Sequence, residues 1–251
     1  MSYAAQAEFK RVERDANAMA IDLLDRRGIP TDTDSALELG AEVWRYTSAA
    51  RRGMATTQEN LLRAEPGALH IARPRRYPMT ASIKLIHRCA GLMPGQPLAT
   101  EARYYDPETR RMTRARVSPW AMPELPETRE AFRARIAAGV ARHVKQVARD
   151  MVIDTATKTR MRKGQKVGWA RTLSGSENCA FCAMLASRGA VYTKDTVKFR
   201  SHDHCDCSAT IVHAGQDWDG AQDAARLGKL WQDSGGMRDF AKKLEEMSNE
   251  Q

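Results

Sequence analysis

Four cysteines and two histidines fall within 29 residues, in the strings Cys179-Ala180-Phe181-Cys182 and His202-Asp203-His204-Cys205-Asp206-Cys207, and Cys89 is the only cysteine outside them. Two thiols separated by two residues can place both sulfurs on one cation, because the tight turn between them brings both within reach of a tetrahedral centre. The second string adds imidazole nitrogen and further sulfur, so a four-coordinate zinc site closes without any outside ligand. His202 and Cys205 repeat the two-residue gap of the first pair, which makes Cys179, Cys182, His202 and Cys205 the preferred set. Cys207 is the rival for the fourth position. His204 fits as readily outside the coordination shell, and Asp203 can orient a ligand imidazole through its other nitrogen. The competing reading is one or two disulfides, or buried thiols. The chain opens Met1-Ser2-Tyr3-Ala4-Ala5-Gln6 with no apolar export segment, so a reducing cytoplasm is the expectation and metal is favoured.

Enzymatic chemistry has one foothold. Asp203-His204 resembles the Asp-His pair of zinc-stapled His-metal nucleases, in which a histidine is general base for water beside a catalytic metal, and His213 downstream offers a further ligand. That chemistry also needs an Asn or His at suitable spacing for a second metal, and ligation explains a lone Asp-His in a cysteine-rich run more economically. A protease is not indicated: no GxSxG elbow occurs, and Ser174, Ser176 and Ser187 read as loop or helix-end residues. His87 and Cys89 are two apart, a spacing at which side chains on a helix do not face each other. A zinc-ribbon transcription factor wants a second knuckle or an adjoining recognition helix, and neither is evident.

The elements that position the cysteines are set by the rest of the chain. Its 251 residues can bury a sizeable core, and no run approaches the eighteen apolar residues of a membrane span. Forty basic against 31 acidic residues give a formal charge of +9, which makes a nucleic-acid partner physically plausible and a solvated basic face equally so. All ten prolines lie between Pro30 and Pro126, nine of them from Pro66 onward. Proline blocks helix interiors, so residues 66–126 read as an irregular connector with short elements, joining an N-terminal helical region at 1–65 to the C-terminal half. In that first region Phe9, Val12, Ala16, Met19, Ala20 and Leu23 recur at helical spacing up to the stop at Gly28-Ile29-Pro30. Leu37, Ala41 and Trp44 mark a second helix, and a third is expected from about Thr56 to Ala64.

After the connector, Phe132, Ile136, Val140, Val144, Val147 and Met151 form one continuous helical stripe starting near Pro126. Its other faces carry Arg129, Arg133, Arg135, Arg142, Lys145 and Arg149, a positive rod able to face phosphate or an acidic partner. Residues 166–173 read as a strand, 174–178 as a turn delivering Cys179, and 190–199 as a hairpin that returns His202 to Cys207 towards the first cysteine pair. The result is a mainly α protein with a small α+β zinc-stapled C-terminal domain over 127–215, its metal bonds holding a fold too small to rely on hydrophobic content alone. A helical tail at 216–251 either packs on its own core or docks a partner groove through Trp218, Trp231 and Phe240.

The strings Trp169-Ala170-Arg171-Thr172, Cys179-Ala180-Phe181-Cys182-Ala183-Met184-Leu185-Ala186-Ser187-Arg188-Gly189 and His202 to Cys207 resemble the phage Mu F-like head morphogenesis family, in the form found among minor capsid proteins of tailed actinobacteriophages. The likeness covers roughly residues 127–212. Asp203 and Asp206 stand where that family often has Pro and Arg, which argues against this loop gripping DNA. The resemblance implies a non-enzymatic minor head protein of the virion, in the capsid interior or portal region. Its implied partners are the portal, major capsid or scaffold protein, with contact to packaged double-stranded DNA and no membrane association.

Overall fold

The computed structural model describes residues 3–67, 69–90, 100–106, 111–117, 126–163, 167–173, 179–190, 199, 201–203 and 205–249. In chain order they form α1 (Tyr3–Arg27), α2 (Thr33–Ala64), α3 (Met79–Ala90), β1 (Thr100–Asp106), β2 (Arg111–Val117), α4 (Pro126–Lys163), β3 (Val167–Thr172), α5 (Ala180–Ala186), β4 (Ser208–His213), α6 (Ala221–Gln232) and α7 (Met237–Asn249). The expected mainly α fold with a small α+β C-terminal part is what forms. No described helix is long and apolar enough to cross a membrane. The chain divides into two compact units built from separated stretches, one of residues 10–53 and 76–144, the other of residues 1–9, 54–75 and 145–251.

In the first unit α1 ends where Gly28 enters the left-handed region at φ 70° and its N–H returns to the Leu24 carbonyl oxygen at 2.8 Å. Asp32 then starts α2 through a reciprocal cap: Ser35 N–H donates to Asp32 Oδ1 at 2.7 Å, and Asp32 N–H donates to Ser35 Oγ at 3.2 Å. The separate helix expected from Thr56 is instead the continuation of α2, because the glycine just before it, Gly53, costs only about 1 kcal/mol and does not break the helix. Val12, Ala16, Ala20 and Leu23 on α1, Leu39 and Val43 on α2, Ile86 on α3 and Phe132, Ile136 and Val140 on α4 are the buried stripes. Two glycines let α3 approach its neighbours. A Cβ on Gly40 would lie 2.9 Å from the Ile83 Cα, and one on Gly139 would lie 2.5 Å from the Leu85 side chain.

The chain entering α3 is tied down by polar contacts: Trp44 Nε1 donates to the Tyr77 carbonyl oxygen at 3.0 Å, and Arg51 donates to the His143 carbonyl oxygen while lying over the Tyr77 ring. β1 and β2 pair antiparallel from Thr100↔Val117 to Asp106↔Arg111. This pair lies within the stretch expected to be an irregular connector with short elements.

In the second unit the segment after α2 runs extended along α4. Extended backbone without a sheet partner must find other acceptors, and two buried threonines supply them: His70 N–H donates to Thr159 Oγ1 at 2.8 Å and Ala72 N–H to Thr155 Oγ1 at 2.9 Å. Arg75 closes the seam with a two-point contact to Asp154 at 2.8 and 2.7 Å. β3 and β4 pair antiparallel from Val167↔His213 to Thr172↔Ser208. Ala183 and Ala186 of α5, Leu227 of α6 and Phe240 of α7 form a common core, with Trp231 and Leu244 packed against it. The tail therefore covers α5, and Phe240 and Trp231 meet edge to face at 5.3 Å rather than standing free as docking anchors. The expected turn at 174–178 and most of the expected hairpin at 190–199 lie outside the described residues.

Candidate metal centre

Three elements deliver the cysteines. β3 leads towards Cys179, whose sulfur caps α5 by accepting from the Cys182 N–H at 3.4 Å. That bond fixes the turn of the first pair, with Cys182 inside the first turn of α5 and fully buried. The second string runs into β4, so Cys207 is the residue before the strand that pairs with β3. Sheet register places Thr172 opposite Ser208, the residue after Cys207, and their hydroxyls lie 2.8 Å apart.

The ligand atoms of Cys179, His202 and Cys205 all lie within 4.8 Å of one another and could hold a metal ion. Cys179 Sγ is 3.6 Å from His202 Nδ1 and 3.6 Å from Cys205 Sγ, and Cys205 Sγ is 3.9 Å from His202 Nδ1. Cys182 Sγ joins on the Cys205 side at 3.6 Å, and Cys207 Sγ lies 3.4 Å beyond it. A tetrahedral ion with metal–sulfur bonds near 2.3 Å and metal–nitrogen bonds near 2.0–2.1 Å has sulfur–sulfur edges of about 3.8 Å and sulfur–nitrogen edges of about 3.6 Å. The separations among Cys179, His202 and Cys205 lie close to those edges, as does that between Cys182 and Cys205, so the first three residues could hold a metal ion and Cys182 stands beside them. His202 is exposed and Cys205 buried, so the centre is seated at the surface with its thiolates inward.

Charge is distributed unevenly over the sulfurs. Burial pushes the Cys179 thiol up, but hydrogen bonds from the Cys182 backbone, His202 and the neighbouring thiols outweigh it and bring it down to about 7. The Cys182 hydrogen bond, with Arg149 and Arg171 nearby, overcomes burial and lowers Cys207 to about 6. Cys182 is pushed up by donating to Cys207 and by burial, and Cys205 by burial and by Cys179. Cys179 and Cys207 are thus the sulfurs whose surroundings favour the thiolate that a metal requires, and Cys182 and Cys205 those whose surroundings oppose it.

A second ring of residues supports the loop, and α4 supplies most of it. Lys145 Nζ donates to Asp206 Oδ1 at 3.0 Å. Arg149 donates to the carbonyl oxygens of Cys207 and Cys205, each at 2.9 Å, and to Ser201 Oγ at 2.8 Å. The positive rod read along this helix is thus partly consumed within the protein: Arg149 is buried, Lys145 is paired, and Arg133 bonds Asp25 at 3.0 Å. Arg149 and Arg171 were missed as site residues. Their signal is positional, since Arg149 shares a helical face with Val152 and Ala156, and Arg171 shares a strand face with Val167 and Trp169.

His204 lies outside the described residues. His213 is opposite Val167, at the far end of β4 from Ser208. Five residues of strand, about 16 Å, separate His213 from the cysteine end, so it does not join the cluster. Cys89 is buried on α3, in the other unit.

The sequence model of the VG15 protein family matches residues 97–234, and the chain belongs to that family. Its relatives are phage proteins. It is 31% identical over 99 aligned residues to the Gene 15 protein of Mycobacterium phage D29, covering 27% of this chain and 36% of the relative. It is 29% identical over 137 residues to the Gene 15 protein of Mycobacterium phage L5, covering 39% of this chain and 46% of the relative. The chain therefore spans less than half the length of these curated relatives. No solved structure matches it.

Proposed function

We propose that this chain is a structural minor head protein of a tailed phage or prophage, of the Mu F-like kind, in which a zinc ion staples the C-terminal α+β domain. The observation that carries the reading is the convergence of Cys179, His202 and Cys205 within ligand distance of one another, with Cys182 beside Cys205, inside a phage-family match. Zinc suits the set because thiolate and imidazole in a closed four-coordinate site are its preferred structural ligands. The ion would be held by the α5 cap on one side and the loop before β4 on the other, clamping the two cysteine strings together. The role is non-enzymatic. The N-terminal helices and the connector dock the portal, scaffold or major capsid protein in the head interior, and the charge of +9 favours contact with packaged double-stranded DNA.

Elemental analysis of the purified chain and of Cys179→Ser and Cys205→Ser variants tests the staple, with a DNA-cleavage assay run alongside. One zinc per chain, lost together with cooperative folding in both variants and with no cleavage, supports the proposal. A metal-free, folded wild type overturns the staple, and metal-dependent cleavage abolished by His204→Ala replaces the structural reading with the nuclease one. Mass spectrometry of nuclease-treated virions tests the location: the chain is expected in full heads at low copy, and its absence from them removes the head assignment.

A further inference from the structure

Two guanidinium groups are buried beside the cysteines, Arg149 at 2% and Arg171 at 1% exposure. Removing a guanidinium from water costs several kcal/mol unless negative charge meets it, and two of them close together repel as well. These two converge on one aromatic ring: Arg171 Cζ is 3.8 Å and Arg149 Cζ 5.2 Å from the Phe199 centroid. The ring faces supply part of the compensation. A further part comes from the cysteines. Arg171 Nη1 donates to Cys182 Sγ at 3.3 Å and to Cys207 Sγ at 3.1 Å, so one nitrogen bridges two sulfurs. Arg149 Nη2 lies 4.0 Å from Cys207 Sγ and holds the Cys205 carbonyl oxygen, with Nε on the Cys207 carbonyl oxygen.

A neutral thiol is a weak acceptor and carries no countercharge, whereas thiolates on a metal supply both. A divalent ion bound by three thiolates and one imidazole leaves one surplus negative charge, and by four thiolates two. We propose that Arg171, supported by Arg149, is the outer cationic partner of the metal centre: its guanidinium bridges Cys182 and Cys207, offsets the surplus thiolate charge and thereby sets the affinity for metal. Arg171 is a positioning residue and touches no ion itself. This inference rests on the metal-centre reading and holds whether His202 or Cys207 completes the coordination.

The test uses the full chain, with zinc affinity measured by competition against a chromophoric chelator and the sulfur-to-cobalt absorption band recorded after cobalt substitution. Arg171→Gln keeps a donor and removes the charge; Arg171→Lys keeps the charge and loses the fork. Arg171→Gln is expected to bind zinc about 10- to 100-fold more weakly, the range typical of outer partners of metal ligands. Arg171→Lys is expected to recover at least half of that loss on a logarithmic scale, with a shifted cobalt band because one ammonium replaces the planar bridge. Wild-type affinity in Arg171→Gln overturns the inference, and so does a lysine variant as weak as the glutamine one, which would reduce Arg171 to a packing role. Should the glutamine chain not fold, the lysine chain decides: a cobalt band at the wild-type wavelength overturns the bridge. A wild-type chain that takes up neither zinc nor cobalt sinks the metal reading first, an outcome distinct from tight wild-type binding with indifferent variants.

Discussion

Arg149 and Cys207, 58 residues apart in sequence, are joined by a hydrogen bond of 2.9 Å from the guanidinium Nε to the cysteine carbonyl oxygen. The same side chain holds the Cys205 carbonyl and the Ser201 hydroxyl, so one residue of α4 fastens the loop that ends the second cysteine string at three points, beside the Lys145–Asp206 contact. Replacing Arg149 with methionine keeps the volume and strands these buried acceptors. A loss of about 3 kcal/mol is expected from unmet buried carbonyls, measured by denaturant unfolding of the zinc-loaded chain. An Arg149→Met protein as stable as wild type removes the fastening role.

Two glycines in one helix should respond oppositely to alanine. A Cβ on Gly40 meets the Ile83 backbone at 2.9 Å, which cannot rotate away, whereas a Cβ on Gly53 meets only a Val12 methyl at 3.9 Å. Gly40→Ala is expected to destabilise by about 1–3 kcal/mol through overpacking. Gly53→Ala is expected to stabilise by up to about 1 kcal/mol through helix propensity. Melting temperatures of the two variants check the signs.

Asp32 gives a pH-dependent contribution. Hydrogen bonds from the Ser35 backbone N–H and hydroxyl hold its carboxyl below the ordinary value of 3.8. A folded-state value lower than the unfolded one means the stabilisation is fully present above the unfolded value and fades as pH falls through the folded one. Asp32→Ala should therefore melt below wild type at neutral pH, and the gap should close in acid below the carboxylate range. A gap independent of pH would show that the charge of the cap is irrelevant.

Phe240 ties the tail to the cysteines. It is fully buried against Ala183 and Ala186 of α5, the helix that carries Cys182. Phe240→Ala should cost about 3–5 kcal/mol and speed zinc loss to a chelator, because the α5 turn loses its backing. Unchanged stability would return α7 to the status of a docking peptide.

The cysteine strings were legible because ligand spacing is local: a two-residue gap states its geometry without reference to the fold. α1, α4, β3 and the α6–α7 break at Ser234-Gly235-Gly236 were legible because apolar periodicity and turn residues agree there. What escaped was long-range. β4 is a plain β-branched run, Thr210-Ile211-Val212, with nothing local to name its partner. β1 and β2 lie either side of Pro107 in a stretch whose prolines dominate the reading. Arg149 and Arg171 look like surface charge until neighbours a full turn, or two residues, away are seen to be buried; Thr155 and Thr159 become meaningful only when an extended segment lies against them.

The seam between residues 70–72 and Thr155 and Thr159 sets an order of events during synthesis. The amides of His70 and Ala72 leave the ribosome 89 and 83 residues ahead of the hydroxyls that receive them. At about 5–20 residues per second the waiting time is several seconds. Throughout that interval this stretch can only be solvated by water or held by a chaperone, and any nascent chain released before α4 is made is left with a loose end no later event can fasten.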